Sequence, residues 1–133
     1  MNKWKRLLDV RGTKYAYLGL AMIANLAWVL LFLSGVDWVI LNYADLTQGL
    51  DATLMLGVFL GALTIAFIIT QIANDGRGVT YGLYGGFAGM LMAVFATYAS
   101  GLLAALVGLM AVLGGFNGGT LGEGLRRVRQ QKK

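Results

Sequence analysis

A chain of 133 residues with 58% hydrophobic and only 13% charged residues is too apolar for a soluble domain, because soluble domains carry roughly 25% charged residues. It has no cysteine, which excludes disulfides, thiolate nucleophiles and iron–sulfur ligation, and no histidine, the commonest general base and zinc ligand. The net charge of +5 sits beside apolar runs, so the basic residues point to anionic lipid headgroups, not to nucleic acid.

The first segment, residues 2–11, sets Trp4, Leu7 and Leu8 against Lys3, Lys5 and Arg6 on a helical projection. That pattern predicts a short amphipathic helix in the headgroup layer. An apolar run follows over 15–34, long enough to span a bilayer core of ~30 Å. It exceeds the 7–15 residues of a signal-peptide h-region and no A-x-A-like site follows it, so it reads as a span. The segment 35–51 is too apolar for a solvated loop. Val36, Val39, Tyr43, Leu46 and Leu50 recur at helical spacing, which predicts either an extension of the first span or a stretch lying on the membrane surface. Asp51 reads as the N-cap of the next span.

The second span is predicted over 52–72. The segment 73–80, with Asn74, Asp75, Gly76, Arg77 and Gly78, is a turn by its chemistry. Its glycines and Arg77 lack Walker A spacing and a preceding strand, so they do not form a phosphate loop. Asp75 and Arg77 are expected to form a screened surface pair of little worth. The apolar residues from 81 to 116 would make one helix of ~54 Å at 1.5 Å per residue, well beyond the core thickness. A break at Ser100 and Gly101 therefore divides them into spans at 80–98 and 101–118. Residues 119–133 read as a helix end and a basic cytoplasmic tail.

The expected fold is all-α, a single transmembrane domain in which four helices form a compact bundle. All eleven Lys and Arg residues precede the first span, lie in the turn at 73–80 or follow the last span. Asp37, Asp45 and Asp51 occupy the opposite side. By the positive-inside rule this predicts both termini in the cytoplasm, in a multi-pass protein of a bacterial or archaeal inner or plasma membrane.

Within the spans the most regular pattern is small residues four apart. Gly57 and Gly61, Gly82 and Gly86, Gly85 and Gly89, and then Ala104 with Gly108 and Ala111 with Gly115 mark faces where backbones can approach closely. The spacing fits contact within the chain, with a second copy or with another protein. Asn25, Thr64 and Gln71 are the candidate intramembrane polar contacts, and Thr70 and Thr97 are the other polar positions. Asn25 is expected to hydrogen-bond between helices. No Asp, Glu, Lys or Arg lies inside a predicted span, which argues against proton relays and carboxylate ion carriers. Tyr15, Tyr17, Tyr81, Tyr84 and Tyr98 read as an interfacial belt. Lys3, Lys5, Arg6, Arg126, Arg127 and Arg129 are the candidate headgroup contacts.

These residues offer no catalytic or metal-ligating set. The expected function is a non-catalytic membrane subunit or scaffold, packed through its glycine faces in a larger complex. Its expected partners are lipids and other membrane subunits or copies of itself, and no nucleic acid. No cofactor is predicted, although lipid, quinone or carotenoid need no diagnostic ligand. The alternative is a homo-oligomeric pore or small-solute transporter, holin-like or channel-like, with Asn25, Thr64 and Gln71 along its path. A third reading, an enzyme acting on lipids or quinones, rests only on Asp37, Asp45 and Asp51.

Overall fold

The computed structural model describes residues 2–43, 45, 48–96 and 101–133. Five helices follow one another: α1 (Lys3–Leu8), α2 (Tyr15–Asn42), α3 (Leu50–Ala73), α4 (Gly78–Ala96) and α5 (Leu102–Gln131). The last four are long and apolar enough to cross a membrane, and there is no strand among the described residues. Thr97, Tyr98 and the turn assigned to 98–101, apart from Gly101, lie outside the described residues, as does Leu46.

Helix α4 packs on α5, α2 and α3, and α3 packs also on α5 and α2. The α4–α5 seam is backbone on backbone. A Cβ on Gly82 would run into the carbonyl oxygen of Gly115, and one on Gly115 into that of Gly82. One turn away, a Cβ on Gly86 would lie 2.8 Å from the Ala111 oxygen, and one on Gly119 would strike the Gly78 oxygen. The α3–α5 seam repeats this with Gly114 against Phe59 O and Gly118 against Leu63 O. In lipid no hydrophobic drive brings helices together, so the close contact that glycine permits supplies dispersion energy instead.

Several predicted boundaries move. Helix α2 continues through Asn42, so the first half of the 35–51 segment is two further turns of the first span. The N-cap of α3 is Gly49, at φ +80°, and its side-chain-free position leaves Asp51 inside the first turn. There the carboxylate acts through the helix dipole and is no cap. The largest correction concerns residues 119–133. Gly118, Gly119 and Gly122 read as a helix end, yet they are buried contacts of a helix that continues to Gln131. A Cβ on Gly122 would come 2.7 Å from Thr70 Cβ, so packing against α3 offsets the poor helix propensity of glycine.

Helix α1 forms as predicted, with a different face. Lys3, Arg6 and Leu7 turn together toward the α3–α4 turn, whereas Trp4 and Leu8 point outward, 70% and 50% exposed.

Candidate functional site

The three polar candidates of the spans occupy three separate surroundings. Asn25 is fully buried and donates to Ala21 O of its own helix at 2.9 Å. Among the described residues the expected interhelical hydrogen bond is absent, because α4 presents Gly85 there, whose missing side chain leaves room for the carboxamide and offers it no partner. Asn25 Oδ1 has no donor among the described residues. Thr64 is exposed and donates to Leu60 O, one turn back on α3. It lines a shallow groove between α2 and α3 with Trp28, Leu60 and Ile65. Gln71 bridges helices instead, donating to Gly122 O at 2.9 Å and accepting from Arg129.

The eight candidate packing glycines all face this chain's own atoms. Gly82, Gly86 and Gly115 lie in the α4–α5 seam, and Gly108 meets Met90 from α4. Gly85 faces Asn25 and Ala21 of α2, and Gly89 faces both Val29 and Ala111. Gly57 and Gly61 are notches that receive the rings of Phe32 and Trp28. Those rings stack with centroids 5.5 Å apart, and the Trp28 indole donates to Gly57 O at 3.2 Å.

The densest set of polar contacts lies where α1, the α3–α4 turn and the end of α5 meet. The turn is built on Asn74 (φ +46°) and Gly76 (φ +75°), both left-handed, which suits asparagine and glycine. It leaves the last carbonyls of α3 without helical partners, and cations take them. Lys14 Nζ donates to Ala73 O at 2.9 Å, and Arg126 donates to Asn74 O at 3.3 Å. At the start of α4 the polarity reverses: Val79 N–H donates to Glu123 Oε1 at 3.1 Å. A carboxylate from α5 thus satisfies a free amide at a helix N-terminus.

Tyr81 is fully buried here and is no member of an interfacial belt. Its hydroxyl donates to the Asp75 carboxylate and accepts the Lys14 N–H at 2.7 Å. Tyr84 donates to Leu8 O at 2.8 Å, and the Arg77 guanidinium donates to Asp9 O at 2.8 Å. The segment before α2 is therefore fastened to α3 and α4 at four points. Asp75 and Arg77 do not form the expected side-chain pair. Asp75 accepts the backbone N–H of Arg77, and the guanidinium reaches the N-terminal segment. The only ion pair among the described residues is Arg127–Glu123, at 3.7 Å.

Of the six candidate headgroup residues, Lys3, Arg6 and Arg127 line one cavity at this junction. Arg126 and Arg129 are engaged on Asn74 and Gln71, and Lys5 is exposed. Sequence reasoning missed Tyr81, Asp75 and Glu123 as a group. Glu123 carried a signal, as the single acid of a strongly basic segment. The acids assigned to the other end, Asp37, Asp45 and Asp51, are all exposed.

Comparison with protein-family models, with curated proteins and with solved structures gave no match.

Proposed function

We propose that this chain is a non-catalytic, multi-pass membrane subunit or scaffold with both termini in the cytoplasm. The observation that carries the reading is the use of its intramembrane polar groups. Asn25, Thr64 and Gln71 hydrogen-bond to backbone carbonyls of their own or an adjacent helix and point to no common path. Of the three, Gln71 ties α3 to α5, while the other two are spent on their own helices. The orientation is supported by the gathering of Lys3, Arg6, Lys14, Arg77 and the arginines of α5 at one end. Because the glycine rows are occupied by the chain's own helices, a partner meets large apolar side chains such as Ile23 and Leu31, which are 66% and 69% exposed.

Purification in gentle detergent from the native membrane, followed by native mass spectrometry, tests this reading. Stoichiometric foreign subunits are expected. A homo-oligomer that passes ions or small solutes in liposomes would replace the scaffold reading with the pore.

A further inference from the structure

The junction of α1, the α3–α4 turn and α5 encloses a cavity of about 440 Å³. Four cations line it, Lys3, Arg6, Arg77 and Arg127, together with the carboxylates of Asp75 and Glu123. The carboxylates already have internal donors. Asp75 accepts from Tyr81 and from the Arg77 backbone, and Glu123 accepts from Val79. Lys3 and Arg6 have no hydrogen-bond or ion-pair partner from their side chains among the described residues. The wall therefore carries a formal excess of two positive charges, and two of its cations are uncompensated.

A charge excess of this kind in a partly enclosed space attracts a compact anion with several acceptor oxygens. Lys3 and Arg6, one helical turn apart on α1, present their donors from one face. The opposite face of α1 carries Trp4 and Leu8, exposed apolar side chains suited to the membrane interface. With that face seated in the interface, the cavity would open at the depth of the lipid phosphates.

We infer that this cavity binds a phosphate-bearing anion, supplied by the headgroup of an anionic phospholipid. The inference rests on the membrane placement proposed above and is independent of the scaffold role. It differs from a phosphate loop, since the donors come from three segments and the glycines of the turn serve its geometry.

Full-length protein in nanodiscs of phosphatidylcholine with phosphatidylglycerol provides the test, read as lipid retained in native mass spectrometry. The wild type should keep one phosphatidylglycerol in preference to phosphatidylcholine. The double substitution K3Q/R6Q should reduce that retention about thirtyfold, on the scale of attraction expected for two cations near an anionic headgroup. K132Q/K133Q removes the same charge away from the cavity and should leave retention within about twofold. Equal losses in the two variants would show diffuse attraction and overturn the site. Inorganic phosphate at millimolar concentration that displaces the lipid from the wild type would overturn the lipid source and assign the cavity to a soluble phosphate. Both double variants alter exposed side chains, and an unchanged thermal transition confirms that folding is intact.

Discussion

The α4–α5 and α2–α3 seams both use glycine, in opposite ways. Between α4 and α5 the atom facing Gly82, Gly86, Gly115 and Gly119 is a carbonyl oxygen of the other helix, and each backbone fixes the other. Between α2 and α3 the glycines are notches filled by Phe32 and Trp28. A ring can turn toward lipid and a backbone cannot move without displacing its helix. The same residue type therefore creates a rigid seam in one place and an adaptable one in the other. Burial follows: ten of the 19 residues of α4 are buried, against four of the 28 in α2.

The comparison is tested most severely by Gly82→Leu. Its side chain would have to occupy the position of the Gly115 carbonyl, and loss of the folded, monodisperse protein is expected on size exclusion. Gly82→Ala should cost about 1–3 kcal/mol, the usual range for overpacking, read as lowered thermal stability in detergent. Gly57→Ala should cost only about 1 kcal/mol, since Phe32 can adjust. Equal costs at the two sites would remove the distinction between the seams. Tyr81→Phe sharpens the comparison where α2 and α4 meet the N-terminal segment. It removes the acceptor of the Lys14 N–H and a donor to Asp75, and about 1–3 kcal/mol should be lost. Faster hydrogen exchange at Lys14 would accompany that loss. At Gly19 a Cβ would meet nothing within 4 Å, so Gly19→Ala should stabilise by about 0.5–1 kcal/mol through helix propensity alone.

The four long apolar helices were legible in the sequence because bilayer thickness imposes a length that hydropathy reveals. The end of α5 was not legible. Gly119 and Gly122 resemble a helix terminator locally, and only the approach of α4 and α3 makes them helical contacts. The spacing of Gly82 and Gly86 marked a packing face but could not name the neighbour, because GxxxG encodes a groove without its occupant. Tyr81 misled for a related reason. A tyrosine at a predicted span end looks interfacial, and its burial depends on Asp75 and Lys14 arriving from 6 and 67 residues away. Glu123 likewise gains its role only when α5 passes the start of α4.

The central claim is that the glycine rows are filled by helices of the same chain. The chain lacks cysteine, so the double variant Gly89→Cys with Ala111→Cys carries a single possible pair. A Cβ at position 89 would lie 3.3 Å from that of Ala111, close to the separation a disulfide requires. Mild oxidation in the membrane, followed by non-reducing electrophoresis and mass spectrometry, should give an intramolecular disulfide at the mass of one chain. A cross-linked dimer in its place would contradict the account, because it would put a second copy where α5 packs on α4.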